Sequence, residues 1–310
     1  MSSAPQKVYV VIVTYNALRW ADRCFPSLRA SGYPVQTVVV DNNSSDDTVA
    51  VLRSQFPEVH VIANGHNAGF GAANNQGISW ALTNQADFVF LLNQDTWIFP
   101  DTVGKLVAAA SREPQYGIVS PMHFAADEVT LDGAFASYLV KDYTEQPDML
   151  HEGIHPSGFI NAAAWFIHRQ CLEVVGGFGP LFYHYGEDRD YVQRIHYHHY
   201  QLGFLNTARI VHDRPPKRFT IDTAEKASWY YTTGAKARLA NINRPYPVAW
   251  ISVWLWMVND MIALILKGKR FALPVAFKIS YAVFIRGSKE IIQYRKKISE
   301  KTRYRFLKND

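Results

Sequence analysis

The run Val8-Tyr9-Val10-Val11-Ile12-Val13, followed by Thr14-Tyr15-Asn16, decides the fold of this 310-residue chain. Its first six residues are apolar and nearly all β-branched, which is typical of a strand buried on both faces of a parallel sheet. The run is too short for the core of a signal peptide, so it predicts a protein that starts in the cytoplasm. The polar residues after it lie where open α/β sheets bind their ligands.

The same alternation recurs along the next eighty residues. Strands are predicted at 37–40, 59–62 and 88–92, with helices at 18–30, 45–55 and 72–83 between them. This rhythm predicts an α/β fold with a Rossmann-like, open and mostly parallel sheet. Each strand ends on a polar cluster, and these clusters are the candidate binding residues: Thr14-Tyr15-Asn16, Asp41-Asn42-Asn43, Asn64 to Gly71, and Asn93-Gln94-Asp95.

The weaker pattern of the second half predicts a strand at 159–168, helices at 171–175 and 188–200, and a strand near 209–211. Pro215 and Pro216 mark the end of a catalytic domain at 1–215, and 216–310 is predicted to be a helical extension. The net charge of +5 is uneven, because residues 267–310 carry 13 Lys/Arg and three Asp/Glu, a net of +10. A basic tail on an acidic body indicates an anionic partner, either nucleic acid or a membrane.

The two cysteines, Cys24 and Cys171, are too few for a disulfide framework and have no metal-binding spacing. Both are expected to be buried thiols of a reducing compartment.

Two aspartates at strand ends suit the donor half of a sugar transfer from a nucleotide diphosphate. Asp41 can accept a hydrogen bond from the imide N–H of uracil or thymine, and Asp95 can hold Mg²⁺ or Mn²⁺ on the diphosphate. The alternative is that each one only begins a turn or caps a helix. Asn93 stands two residues before Asp95, so a single carboxylate serves there.

The segment Tyr185-Gly186-Glu187-Asp188-Arg189-Asp190 places three carboxylates at a helix start, where capping would need one. Crowded carboxylates raise each other's pKa, which favours a general base. Asp188 is the preferred base and Glu187 the second choice. The neighbouring Phe182, Tyr183 and Tyr185 are either an acceptor wall or core residues.

His212 follows a predicted strand, where a lone histidine is more often a surface or core residue than a metal ligand. The loop from Asn67 to Asn75 contains Gly69 and Gly71 but has Asn74 in place of a third glycine, which argues against a dinucleotide fingerprint. Its backbone N–H groups can still reach a phosphate at the start of the next helix.

In order and spacing, these segments resemble glycosyltransferase family 2, in particular its bacterial rhamnosyltransferase-like members, over residues 7–215. The matching runs are Val-Thr-Tyr-Asn at 13–16, Val-Asp-Asn-Asn-Ser-Ser-Asp-Asp-Thr at 40–48, Asn-Ala-Gly-Phe-Gly-Ala-Ala-Asn-Asn-Gln-Gly at 67–77, Leu-Leu-Asn-Gln-Asp at 91–95, Gly-Gly-Phe at 176–178, Tyr-Gly-Glu-Asp-Arg-Asp at 185–190 and Val-His at 211–212.

The resemblance implies a GT-A fold, a divalent metal ion and inversion at the anomeric carbon. By position it implies Asp188 as catalytic base, Asp95 and His212 as metal ligands, and Asp41 as base reader. A dTDP- or UDP-sugar is the implied donor, with rhamnose favoured by the subfamily. The departures are Asn93 at the first carboxylate position and Gln94 where proline is common. The expected donor site comprises Thr14, Tyr15, Asn16, Asp41, Asn43, Asn67, Gly69, Asn74, Asn93, Gln94 and Asp95.

The apolar stretch at 247–266 has the length of a membrane-spanning helix, but Asn259 and Asp260 disfavour spanning. The sequence instead predicts an amphipathic helix on an anionic membrane, at the inner face of the cell membrane. The donor site would then not need the residues after Arg244. The alternative is a hairpin packed on the catalytic domain or on a second copy in a homodimer. The predicted membrane-facing stripe is Trp250, Trp254, Met257, Met261, Leu264 and Ile265.

The sequence therefore predicts a hexosyltransferase of cell-surface polysaccharide synthesis, with a saccharide or lipid-linked saccharide as acceptor and no nucleic acid partner. One rival is a nucleotide-sugar-binding protein without turnover, which the carboxylates Asp95, Glu187 and Asp188 argue against. A sugar-nucleotide pyrophosphorylase needs a Gly-rich, basic loop after strand one, where this chain has Tyr15-Asn16-Ala17-Leu18.

Overall fold

The computed structural model describes residues 5–139, 151–214, 221, 223–268, 272–300 and 303–307. The predicted domain boundary at Pro215 and Pro216 lies outside these residues. Within them, one mixed sheet carries helices on both faces, and a group of helices follows it.

The first half of the chain builds the parallel part of the sheet. Its strands lie in the order β3-β2-β1-β4 and all run in the same direction. Their carboxyl ends, with the polar clusters, therefore meet at one edge. The elements are β1 Val8–Thr14, α1 Leu18–Arg29, β2 Val35–Asp41, α2 Thr48–Gln55, β3 His60–Ala63, α3 Phe70–Thr83 and β4 Phe88–Leu92.

The second half extends the sheet in the order β4-β8-β6-β9-β5, with β7 beside β9. Strand β8 is antiparallel to β4 and β6, whereas β9 is parallel to β6. The elements are β5 Thr96–Ile98, α4 Thr102–Arg112, β6 Tyr116–Phe124, α5 Gly133–Tyr138, β7 Ile154–Pro156, β8 Ala164–His168, α6 Arg169–Val175, α7 Glu187–Tyr197 and β9 Gln201–His212.

Two predicted strands differ in extent from those observed. The strand predicted at 159–168 is confined to Ala164–His168, because Ile160 and Ala162 pack into the core from an irregular segment. The strand predicted near 209–211 is the 12-residue β9, whose first half pairs with β6 and β7. The open α/β sheet with a helical C-terminal region is confirmed.

The C-terminal helices form a third apolar core, which also takes in Leu181 and Phe182 from the catalytic part of the chain. The chain then returns to the sheet, where Leu307 packs into the core around α3 and α6. The helices are α8 Ala224–Ala240, α9 Tyr246–Leu266, α10 Ala272–Tyr281, a π-helix Ala282–Arg286 and α11 Ser288–Ser299. Because the packing crosses in both directions, residues after Arg244 contribute to the cores of the catalytic part, and the independence of the donor site from them stays a prediction.

The apolar stripe predicted on α9 differs in part from the face that the structure leaves exposed. Met257 and Leu264 face the helical core and are buried, whereas Trp250 and Trp254 are exposed. The helix is apolar on nearly every side, so spacing alone could not tell which face the protein would cover.

Candidate active site

A cleft of about 1430 Å³ opens at the carboxyl edge of the sheet. It brings together five residues that the sequence singled out from three separate segments: Asn93, Asp95, Glu187, Asp188 and His212. The sequence reasoning did not assign the other polar lining groups, which include Asp132, Asn161, His184 and Arg214.

Strand pairing brings Asp95 and His212 together. Thr96 is opposite His212 in the antiparallel β5–β9 pair, so the residue before Thr96 lies beside the histidine. His212 Nε2 is 3.4 Å from Asp95 Oδ1, and the Asp95 side chain is 20% exposed toward the cleft. His212 is buried, and its Nδ1 has no hydrogen-bond partner among the described residues.

The Asp95–His212 pair fits a divalent ion shared between protein and substrate. Mg²⁺ and Mn²⁺ bind through one or two protein ligands plus phosphate oxygens, and a carboxylate with an imidazole nitrogen offers such a set. Over the described part of the chain, no three His, Cys, Asp or Glu side chains converge to form a closed protein cage. An ion here would therefore depend on a bound diphosphate for its remaining ligands.

Arg214 is a cation of the cleft that the sequence reasoning missed. Its guanidinium donates two hydrogen bonds to Asp132, from Nε to Oδ2 at 2.8 Å and from Nη2 to Oδ1 at 2.6 Å. Asp132 also caps α5 by accepting from the backbone N–H groups of Ala134 and Phe135. The only sequence signal was its position two residues after His212, since Asp132 lies 82 residues away.

Glu187 and Asp188 begin helix α7 and line the cleft. The turn before them needs glycine, because Gly186 has φ +97° and a Cβ there would meet Phe182 and Thr233. Burial first, and then the charges of Asp188 and Asp190, together raise the pKa of Glu187 to about 7. Crowding, the cause expected from the sequence, therefore contributes less than burial does.

Asp188 differs from Glu187 in its partners. Burial raises the pKa of Asp188, although its Oδ1 accepts a hydrogen bond of 2.7 Å from the backbone N–H of Arg189. Glu187 is 5% exposed, and within the part of the chain that the structure describes its Oε2 has no hydrogen-bond partner. The pKa of each carboxyl is thus raised toward the pH range in which a general base works.

Asp190, the third carboxylate of the cluster, belongs to the framework and not to the cleft. It is 1% exposed, forms an ion pair of 3.0 Å with the buried Arg194, and accepts a hydrogen bond of 2.6 Å from the hydroxyl of Tyr294 on α11. Arg194 also donates to the carbonyl oxygens of Val175 and Gly177. This network joins the catalytic helix to the C-terminal helices.

The residues after β1 and β2 form a separate set beside the cleft. Asp41 is buried and accepts from Thr14 Oγ1 at 2.8 Å and from the N–H of Ser44 at 2.8 Å. The side-chain oxygen Oδ1 of Asn16 accepts a hydrogen bond from the backbone N–H of Ser45. Asn43 adopts a left-handed backbone conformation with φ +67°. Described residues of this set do not line the large cleft.

Gln94 connects this set to the cleft. Its Oε1 accepts from the N–H of Tyr15 at 2.8 Å, and its Nε2 donates to the carbonyl of Tyr15 at 3.3 Å. The loops after β1 and β4 are thereby fixed next to each other. Gln94 consequently has a structural role that its position in the sequence did not reveal.

The loop between β3 and α3 is held from both sides. Asn67 Oδ1 accepts from the N–H of Gly69 at 2.9 Å, and the hydroxyl of Tyr183 donates to the carbonyl of Asn67 at 2.9 Å. Gly69 has φ +85°, and a Cβ there would meet the carbonyl oxygen of Tyr183. Asn74 is buried and donates back to the carbonyl of Phe70, so its side chain supports helix α3 and not the cleft.

The three aromatic residues predicted as an acceptor wall have different positions. Tyr185 lines the cleft and packs edge-to-face on Trp229 of α8, with ring centroids 5.0 Å apart. Tyr183 secures the 67–69 loop, and Phe182 is buried in the helical core. Only Tyr185 of the three is placed to touch a ligand in the cleft.

Comparison with known proteins agrees with this geometry. The model of glycosyl transferase family 2 matches residues 9–168. An N-acetylglucosaminyl-diphospho-decaprenol L-rhamnosyltransferase of Mycobacterium tuberculosis is 25% identical over 231 residues, which cover 66% of this chain and 75% of that protein.

Solved structures share the fold. S. aureus TarS residues 1–349 in complex with UDP-GlcNAc superimposes with a TM-score of 0.60 at 14% identity, covering 94% of this chain and 82% of that one. The mannosyltransferase PcManGT from Pyrobaculum calidifontis, in complex with GDP-Man and Mn²⁺, gives a TM-score of 0.56 at 17% identity, covering 98% and 86%.

The sheet, with its polar strand ends and carboxylate-lined cleft, has the GT-A fold that these solved structures share. The family match covers just over half of the chain and includes the first four strand-end motifs. The chain belongs to glycosyl transferase family 2.

Proposed function

We propose that this glycosyltransferase is a metal-assisted, inverting hexosyltransferase of cell-surface polysaccharide synthesis, which uses a nucleoside diphosphate sugar and a saccharide or lipid-linked saccharide acceptor. The observation that carries the proposal is the meeting of two residue pairs in one cleft, Asp95 with His212 and Glu187 with Asp188. The first pair suits a departing diphosphate, and the second suits an acceptor hydroxyl.

Asp188 is the proposed general base. It takes the proton of the acceptor hydroxyl while that oxygen forms a bond to the anomeric carbon of the donor sugar. The bond from this carbon to the phosphate oxygen breaks, and the nucleoside diphosphate leaves. Because the attack is a single displacement, the anomeric configuration inverts. Burial raises the pKa of Asp188, which strengthens it as a base near neutral pH.

Asp95 and His212 would hold Mg²⁺ or Mn²⁺, which when bound supplies a Lewis acid for the leaving diphosphate. Arg214 lines the same cleft, and its bidentate hydrogen bonds to Asp132 fix the orientation of the guanidinium. Its positive charge is therefore available to the diphosphate without a rearrangement of the loop.

The proposed donor is a dTDP- or UDP-sugar, with Asp41 reading the base. Oδ1 of Asp41 accepts from Thr14 and Ser44, whereas Oδ2 accepts, among the described residues, only from the backbone N–H of Ser44. A carboxylate oxygen has two acceptor sites, so Oδ2 retains one for an imide N–H. Rhamnose is proposed as the sugar because the similar M. tuberculosis protein is an L-rhamnosyltransferase.

The cytoplasm is the proposed location. Cys24 and Cys171 are free and buried, which fits a reducing compartment. Burial raises the pKa of both thiols, so neither is a candidate nucleophile.

A donor panel tests the proposal. Release of nucleoside diphosphate is measured with Mn²⁺ from dTDP-rhamnose, UDP-GlcNAc, UDP-glucose and GDP-mannose, with and without a lipid-linked saccharide, and the product is identified by mass. We expect one donor to be turned over faster with acceptor, giving a product heavier by one hexosyl unit. Binding of donors without any turnover would favour the rival binding protein, and pyrophosphate-dependent consumption of a donor would favour a pyrophosphorylase.

A further inference from the structure

Helix α9 carries an unusually apolar exposed face. The helix has 21 residues and an 18-residue stretch with a mean hydropathy of 1.7, so by length and composition it could cross a membrane. Between its ends Asn259 is the one polar residue of the exposed set. The exposed residues of the helix are Pro247, Val248, Trp250, Ile251, Trp254, Leu255, Asn259, Ile262, Ile265 and Leu266.

The opposite face of α9 is committed to the protein. Ala249, Val253, Met257 and Leu264 are buried in the core formed with α8 and α10. The hydroxyl of Tyr231 on α8 donates to Asp260 Oδ2 at 3.3 Å. Crossing a bilayer would break this packing and place Asp260 in hydrocarbon, at a cost of several kcal/mol. The helix therefore suits a position along a surface with one side covered.

Cations stand at both ends of this apolar face. Arg244 precedes the helix and Lys267 follows it, and both are exposed. They lie roughly 35 Å apart along the helix axis at about 1.5 Å per residue. Lys278 and Lys289 on the following helices are exposed as well. Asp260, the only acidic residue of α9, faces Tyr231, so the face has no acidic partner of its own for these cations.

This charge pattern decides between a membrane and a second copy of the chain. In a symmetric dimer through α9, an antiparallel pair would put Arg244 against the copy's Lys267, and a parallel pair would put like residues together. Either arrangement sets cation against cation at both ends. An anionic lipid surface offers an apolar acyl-chain region for the tryptophan rings and negatively charged head groups for the cations.

We propose that the exposed face of α9 docks on an anionic membrane, with Trp250 and Trp254 in the interface and Arg244 and Lys267 on lipid head groups. Helix α8, against which α9 packs, places Trp229 on the cleft residue Tyr185. Docking through α9 therefore holds the cleft close to the membrane surface, where a lipid-linked acceptor would be found. The inference does not depend on the identity of the donor.

The test is co-sedimentation of the full-length protein with vesicles of phosphatidylcholine alone or with 30% phosphatidylglycerol, at low and high salt. We expect binding to the anionic vesicles that weakens with salt and is at least tenfold weaker on neutral ones. Trp254→Glu combined with Leu255→Glu should remove binding, because it puts two charges in the apolar face. Val129→Glu, at an exposed position of the sheet domain, is the matched control and should bind normally.

A charge variant tests the second half of the proposal. Arg244→Gln with Lys267→Gln should weaken partition into anionic vesicles by on the order of tenfold, since each cation near such a surface contributes a few-fold. Arg53→Gln with Arg112→Gln removes two exposed cations of the sheet domain and should change nothing.

Three results would overturn the proposal. Equal binding to neutral and anionic vesicles, or none to either, contradicts a charged lipid surface. A dimer in solution that Trp254→Glu with Leu255→Glu converts to a monomer shows that the face is an interface between copies. Protein that high salt and alkaline carbonate cannot strip from vesicles shows that α9 inserts across the bilayer.

Discussion

The cleft and the C-terminal helices differ in how the sequence encodes them. In the cleft, Asp95 and His212 come together because Asp95 precedes β5 and His212 ends β9, and the pairing of these two strands fixes their separation. In the helical module, Trp250 and Met257 lie on the same apolar helix, yet one is exposed and the other buried. A site made by strand ends is thus readable from local sequence, whereas a helix face acquires its role from whatever packs on it.

The largest expected effect is at the base. Asp188→Asn should lower kcat by roughly 10²–10⁴-fold, because the neutral amide cannot take the acceptor proton. Nucleoside diphosphate affinity should be nearly unchanged, since the diphosphate is assigned to Asp95, His212 and Arg214. The measurement is transfer rate beside a nucleotide-binding titration. Asp127→Asn, at an exposed carboxylate, is the control, and more than about a tenth of wild-type turnover in Asp188→Asn would show that another group is the base.

The next effect is at the metal pair. Mn²⁺ should tighten nucleoside diphosphate binding to the wild type, and Asp95→Ala should remove most of that tightening, on the order of 10–100-fold. Calorimetric titration of UDP and dTDP with Mn²⁺ and with chelator measures the difference. Equal affinity of the wild-type protein for nucleoside diphosphate in Mn²⁺ and in chelator would show that no metal ion takes part in binding it.

Glu187 should make stability fall as pH rises. Its pKa is raised by burial to about 7 from an ordinary 4.5, so the folded state binds more protons than the unfolded state between these values. Stability is therefore lost as pH rises from about 4.5 to about 7, by on the order of 3 kcal/mol at most. Glu187→Gln should remove this loss.

The comparison uses urea unfolding at pH 5 and pH 8. The gain in unfolding free energy from Glu187→Gln should be larger at pH 8, whereas Glu152→Gln at an exposed site should show no such trend. A gain that is the same at both pH values would mean that Glu187 does not titrate in this range.

The smallest effect concerns the link between the two regions. Tyr294→Phe removes the hydroxyl that donates to the buried Asp190 and should cost about 1–3 kcal/mol of unfolding free energy. It should also lower kcat, because Asp190 lies on the helix that begins with Glu187 and Asp188. The control is Tyr246→Phe, since no described residue forms a hydrogen bond with the Tyr246 hydroxyl. Equal effects of both variants on stability and kcat would show that the hydrogen bond from Tyr294 to Asp190 makes no specific contribution.

The sequence predicted the first four strands because each is a short apolar run followed by polar residues. It could not predict Arg214, whose partner Asp132 is far along the chain, nor the helical role of Asn74, whose amide bonds back to Phe70. The carboxylate cluster shows the same limit. The sequence ranked Asp188 and Glu187 as candidate bases but gave Asp190 no role, and only burial next to Arg194 and Tyr294 assigns Asp190 to the framework.

The C-terminal helices show the same contrast between local patterns and distant contacts. The sequence predicted α9 close to its observed bounds, since the apolar stretch at 247–266 is long and free of internal breaks. The return of Leu307 to the core of the sheet domain had no signal in the sequence, because a single leucine near the C-terminus is compatible with exposure. Contacts between distant segments are what local patterns leave out.

The most direct test of the central claim is a crystal structure with UDP or dTDP and Mn²⁺, measured with anomalous scattering from manganese. The account predicts an anomalous peak within coordination distance of the Asp95 carboxylate and His212 Nε2, with diphosphate oxygens completing the coordination and Asp188 on the open side of the cleft. A bound nucleotide with manganese elsewhere, or with no manganese beside Asp95 and His212, would contradict it.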